Sequence, residues 1–183
     1  MTITRTQKIS GIIGIIATTC IALLFYTHAQ HHGPIYDFNP TTDTQPIIEL
    51  FNQNWYWLVA NEGFSPSFIL KHRTPNENPK YFGTLKIKVL RENNQLAGFT
   101  AYYMKEKNLG QLLFLAVGHP FRGKQYGKIL AEYAIDDLKK LGATKIGLWT
   151  RVSNLPAQRI YKNLGFIEVL DTGDGYLYFE KVV

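Results

Sequence analysis

The chain has 183 residues and a formal charge of +6, from 20 Lys and Arg against 14 Asp and Glu. That length suits one domain with a substantial core, and the ordinary apolar content excludes a disordered chain. The positive charge is spread along the chain rather than gathered in runs, which argues against nucleic-acid binding. The lone Cys20 sits in an apolar N-terminal segment, which leaves the rest of the chain without a disulfide or a thiolate metal site, and no metal is expected.

Residues 1–8 are a short basic start with Arg5 and Lys8. Residues 9–27 are almost continuously apolar and have no polar face, so they read as a transmembrane anchor at the short end of the spanning range. The alternative is a cleaved signal peptide with Thr27-His28-Ala29 as the cleavage site, after which the protein would be exported. No Lys or Arg occurs between Thr27 and Leu70, so charge asymmetry places the following domain outside the cytoplasm. His28, His31 and His32 lack a nearby carboxylate or further histidine and read as part of a tether. Residues 28–45, rich in Pro, Thr, Asp and Asn, read as a linker.

Residues 46–183 form the domain. Pro46 opens a helix with Thr44 as its cap, and Ile47, Ile48, Phe51, Trp55 and Leu58 recur at helical spacing as far as Ala60. Residues 61–78 are turn-rich around Phe68-Ile69-Leu70, where a short helix and a strand fit equally. From Thr84 to Arg91 the period becomes two, Asn93-Asn94 is a tight turn, and Leu96 to Lys105 is a second strand. Asn108-Leu109-Gly110 leads out of it, and Gln111 to Val117 is a third, apolar strand, completing an antiparallel meander. A helix over Gln125 to Leu141 stops at Gly142. The strand Lys145 to Val152 then returns parallel to its predecessor through a crossover. Ser153 to Pro156 cap a helix whose buried face is Ala157, Ile160, Tyr161 and Leu164. Phe166 to Leu170 and Tyr176 to Val182 close the chain as a hairpin.

The stretch Leu112 to Lys128, strand then glycine-bearing loop then helix, is a device for holding phosphate by exposed amides and a helix dipole. Gly118 to Lys124 matches a nucleotide-hydrolase P-loop up to its last letter, where Gln125 replaces the hydroxyl that such a loop needs for magnesium. The run Arg122-Gly123-Lys124-Gln125-Tyr126-Gly127 instead resembles the R/Q-x-x-G-x-G/A loop of the GNAT superfamily of N-acetyltransferases. The segment from Asn154 to Phe166, an Asn followed by A-x-x-x-Y-x-x-x-G-F, is similar to that family's second motif. The family usually has glycine where Gln125 stands.

The resemblance implies an α+β fold, a mixed sheet of about seven strands flanked by helices. It implies an enzyme that moves an acetyl group from acetyl-CoA to an amine by direct attack in a ternary complex, with no acyl-enzyme. Amides from Arg122 through Gly123, Lys124, Gln125, Tyr126 and Gly127 to Lys128 would cradle the pyrophosphate. The side chains of Arg122, Lys124 and Lys128 would add charge. Leu115 and Val117 would meet the pantetheine through their main chains where two strands splay. Tyr161 matches the general acid, and Asn154 either contacts the coenzyme or simply caps its helix. The general base is missing from the family's common place, a carboxylate on the third meander strand. Glu106, Glu62 and His119 are the candidates. Of Tyr102 and Tyr103, on opposite faces of their strand, only one can reach the acceptor. The acceptor would be a small molecule or a protein amine, with a homodimer left open. The competing reading is a membrane-tethered, catalytically inactive module that keeps the fold for binding or sensing. The missing base, Gln125 and the outward topology favour it, since acetyl-CoA is a cytoplasmic metabolite.

Overall fold

The computed structural model describes residues 35–60 and 63–183. The basic start, the apolar segment 9–27, the three histidines, Cys20 and Glu62 lie outside the described residues. Among the described residues, no helix is long and apolar enough to cross a membrane.

The chain runs β1 (Ile35–Asp37), α1 (Pro40–Gln53), α2 (Trp55–Leu58), α3 (Pro66–Lys71), β2 (Lys86–Glu92), β3 (Gln95–Met104) and β4 (Leu109–Val117). A 3₁₀ turn (His119–Phe121) leads to α4 (Tyr126–Lys140), β5 (Lys145–Arg151), α5 (Leu155–Asn163), β6 (Ile167–Asp171) and β7 (Tyr176–Val182). The seven strands form one sheet in the order β1-β2-β3-β4-β5-β7-β6. Only β4 and β5 pair in parallel, so the sheet is mixed as expected.

Alternation along the strands builds a core on each face. Ile47, Leu50 and Phe51 of α1 and Leu70 of α3 pack on Ile87, Val89, Phe99 and Phe114. On the other face Ala131, Ala134 and Leu138 of α4 and Tyr161 of α5 pack on Leu112, Ile146, Leu148 and Phe179. Each of the larger apolar side chains, fully buried, contributes roughly 1.5–3 kcal/mol. Tyr102 and Tyr103 do part company, Tyr102 joining the α4 face and Tyr103 the α1 face.

The N-terminal expectation needs correction. Residues 35–45, read as linker, carry β1 and the first turns of α1. That helix starts six residues before Pro46. The Asn39 side chain accepts from Thr41 N–H at 2.9 Å, and Pro40 occupies the first turn. Asp43 accepts from Asn39 N–H at 2.8 Å and pairs with Arg91, which allows its burial. Pro46 lies inside the helix, and Thr44 donates its hydroxyl to Pro40 C=O instead of capping. Phe68-Ile69-Leu70 is helical, in α3. Asn93 and Asn94 both take positive φ, 50° and 63°, which is the tight turn expected there.

Candidate functional site

The site grows out of the place where the one parallel pair among the described residues comes apart. β4 and β5 pair from Leu109↔Lys145 to Leu112↔Leu148 and no further, although β4 continues to Val117 and β5 to Arg151. The split coincides with a bulge in β4. Ala101 faces Phe114 and Tyr102 faces Leu112, so Leu113 has no partner across from it on β3. Beyond the bulge, hydrogen-bonded and non-bonded positions of the antiparallel β3–β4 pair alternate. Gly118 N–H donates to Ala97 C=O at 2.9 Å, which fixes the phase. Leu115 and Val117 therefore turn their main-chain groups away from β3, into the gap left by β5. The Arg122 Nε donates to Val117 C=O at 3.3 Å, in keeping with that direction.

The gap holds a narrow cavity of about 80 Å³ between Trp57, Leu113, Trp149, Thr150 and Tyr161. Beside it opens a cleft of about 730 Å³ that reaches Leu115, Val117, the loop 121–127, Asn154 and Arg159. The loop after the 3₁₀ turn contains two left-handed residues, Gly123 at φ 82° and Gln125 at φ 62°. Gln125 occupies the N-cap position of α4 without a side-chain capping bond. A non-glycine residue in that conformation costs about 1–2 kcal/mol. That explains physically why glycine is the usual residue there. The twist leaves the N–H groups of Gly123, Lys124, Gln125, Tyr126, Gly127 and Lys128 without an acceptor among the described residues. Six successive free donors at the positive end of a 15-residue helix are a donor set suited to an anion. Gly127 keeps α4 close to α5, because a Cβ there would meet Ile160 Cδ1 at 3.2 Å.

The cations expected around the loop are more committed than the sequence suggested. Arg122 Nη2 donates to Asn54 Oδ1 at 2.8 Å, so this guanidinium ties the loop to the junction of α1 and α2. Lys124 Nζ contacts both oxygens of Glu92, at 2.7 and 3.0 Å. Lys128 lies 3.6 Å from Glu132. Only Arg122 among the three faces the cleft without a carboxylate partner.

Asn154 caps α5, its Oδ1 accepting from Ala157 N–H at 3.3 Å, and it also lines both cavities. Gln158 supports it by donating to the carbonyls of Arg151 and Val152, at 3.1 and 2.7 Å. Tyr161 lies in the narrow cavity, edge-on to Phe166, and its hydroxyl has no hydrogen-bond partner among the described residues. Burial pushes its pKa up to about 12.

Sequence reasoning missed Asn54, Trp57, Leu58 and Arg159, which complete the walls. Only their place in the fold brings them there, and no motif marks them. Neither Glu106 nor His119, the described candidates for a base, lines either cavity, and neither do any other Asp, Glu or His among the described residues.

The profile of the acetyltransferase (GNAT) family matches residues 44–166. The chain belongs to this family. Its members use acetyl-CoA. The Escherichia coli (strain K12) [ribosomal protein bS18]-alanine N-acetyltransferase is 33% identical over 81 residues, 43% of this chain and 53% of that protein. The chain thus spans about half the length of the curated relatives it matches. A ribosomal-protein-alanine N-acetyltransferase from Brucella melitensis superposes with a TM-score of 0.66 at 15% identity, over 82% of this chain and 99% of that one. The Thermoplasma acidophilum PaiA N-acetyltransferase, solved in complex with coenzyme A, gives 0.64 at 20% identity over 82% and 98%. At such identities these structures establish the shared fold.

Proposed function

We propose that the chain transfers an acetyl group from acetyl-CoA to a primary amine of a protein, by direct attack in a ternary complex. The observation that carries this is the run of six unaccepted amides at the mouth of α4, beside a split parallel pair. The names of its relatives support a protein amine as the acceptor. No cysteine follows Cys20, which agrees with a route lacking an acyl-enzyme.

Acetyl-CoA supplies an activated thioester, whose carbonyl carbon is the electrophile. The loop from Arg122 to Lys128 holds the diphosphate through its main chain, and Arg122 adds charge. Leu115 and Val117 offer main-chain groups to the pantetheine, in the way a missing strand neighbour would. Trp57 and Trp149, both partly exposed, wall the narrow gap. Tyr161 and Thr150 are the hydroxyl-bearing residues of the narrow cavity, and Tyr161 is the one that matches the family's acid. At a pKa of about 12 it stays neutral, and a thiol of pKa near 8.5 lies roughly 3.5 units below it, about 5 kcal/mol against full proton transfer. Tyr161 therefore acts as a hydrogen-bond donor to the sulfur, which leaves as thiolate as the C–N bond forms and the C–S bond breaks, and the proton shed by the amine passes to water.

Binding of coenzyme A by the full chain, followed by thiol release from acetyl-CoA with Ala-initiated peptides and with free polyamines, tests this. Saturable binding with release on peptides is expected. Failure to bind coenzyme A would overturn it. Binding without release on any amine would establish the second reading, an inactive GNAT-fold module, which the lack of a carboxylate or histidine along both cavities favours.

A further inference from the structure

The rim of the cleft carries an ion pair that the proposed function does not use. Glu92 ends β2 at the β2–β3 turn, 32 residues before Lys124 in sequence. Both of its carboxylate oxygens receive Lys124 Nζ, and Oε2 also accepts the Tyr126 hydroxyl at 2.9 Å. Lys124 and Tyr126 flank Gln125, whose N–H lies in the middle of the free amides. The hydrogen bond from Lys124, helped by that from Tyr126, holds the Glu92 carboxyl below its usual range, and Glu92 in turn raises Lys124. Both stay ionised across neutral pH and their charges cancel. A second cancellation, Lys128 with Glu132, lies one turn further along α4.

We infer that Glu92 is a built-in rival for the phosphate site, a positioning residue that withholds Lys124 from the bound diphosphate. The inference rests on the coenzyme A reading above and deepens it. The loop then grips its anion through amides and the Arg122 guanidinium, with Lys124 held away. A carboxylate bound by an ammonium and a hydroxyl competes with phosphate oxygens for the same donors. The consequence is a coenzyme held less tightly than the loop sequence allows, which favours release of the spent thiol after transfer.

Glu92→Gln removes the charge but keeps an oxygen for the Tyr126 hydroxyl. Calorimetric titration of the full chain with coenzyme A, at low and high salt, should show this variant binding about three- to ten-fold more tightly than wild type. The gain should shrink at high salt. Pantetheine, which lacks the diphosphate, should bind both proteins alike. Lys124→Gln should cancel the gain in the Glu92→Gln background, read by the same titration. Weaker coenzyme A binding by Glu92→Gln would overturn the inference and make Glu92 a prop for the loop. A gain that survives in the double variant would overturn it too, since the carboxylate would then act by plain repulsion. If wild type binds no coenzyme A at all, the functional reading falls first.

Discussion

The two ends of the cleft are built from different materials. At the α4 end the working groups are peptide N–H donors, and side chains matter mainly for the φ angles they permit. At the Trp57–Tyr161 end the backbone supplies the gap, through the bulge and split of β4, and the groups that fill it are side chains. The first end should tolerate most changes that respect its dihedrals and fail at those that do not. The second should respond to the loss of particular rings and hydroxyls. The difference also separates two kinds of chemistry, anion binding by fixed dipoles and positioning of a reacting group in a narrow gap.

The largest expected effect breaks the first end through conformation alone. Gly123 stands at φ 82° with nothing within 4 Å of a built Cβ, so space for a side chain is not the constraint. A β-branched residue strongly resists that φ. Gly123→Val should weaken coenzyme A binding by about 30-fold or more, because a strained or flipped loop costs at least about 2 kcal/mol. Gly123→Asn, which accepts the left-handed region, should retain most of the affinity by titration calorimetry. Equal losses for the two would show that side-chain bulk, not the dihedral, governs this end.

The next effect tests the other end. Tyr161→Phe removes one oxygen from a buried ring and leaves the packing intact. Acetyl transfer to peptide should fall about 10- to 100-fold in kcat, with coenzyme A affinity unchanged. The same variant carries a pH signature. The Tyr161 pKa is raised from 10.0 to about 12, so its contribution to stability is complete below pH 10 and is lost as pH rises toward 12. Wild type should therefore lose more stability than Tyr161→Phe between those limits, measured as Tm. A smaller change, about 3- to 10-fold in acceptor KM with little effect on coenzyme A, is expected for Trp149→Ala, since this half-exposed ring borders the gap and packs at a tilt against Tyr178, with ring centroids 4.6 Å apart.

The same division explains what the sequence disclosed. The main-chain end was legible because amide chemistry needs glycines at set intervals before a helix, and that spacing survives in one dimension. The meander, the crossover and the final hairpin were legible from their periods. The side-chain end was not. Trp57, Asn54 and Arg159 come to the cleft from helices and a helix junction whose placement depends on packing against the sheet, and α1 starts at Pro40, six residues before Pro46, inside a stretch whose composition reads as linker. No motif marks Glu92, which meets Lys124 only through the placement of β2. Gln125 was noticed as a departure, but its cost came only with its dihedral angle.

Gln125→Gly carries that last point to the smallest effect. The substitution relieves a left-handed non-glycine residue at φ 62° and adds freedom to the unfolded chain, two terms that oppose each other. Relief of about 1–2 kcal/mol against an entropic cost of about 0.5–1 kcal/mol leaves a net gain of about 0.5–1 kcal/mol. That should raise Tm by about 1–4 °C. Coenzyme A affinity should hold or improve, because the Gln125 N–H keeps its direction and no side-chain bond at the cap is lost. If Tm rises while affinity drops several-fold, the glutamine side chain itself touches the ligand. The α4 end would then be built partly of side chains after all, and the contrast between the two ends would narrow at this one residue.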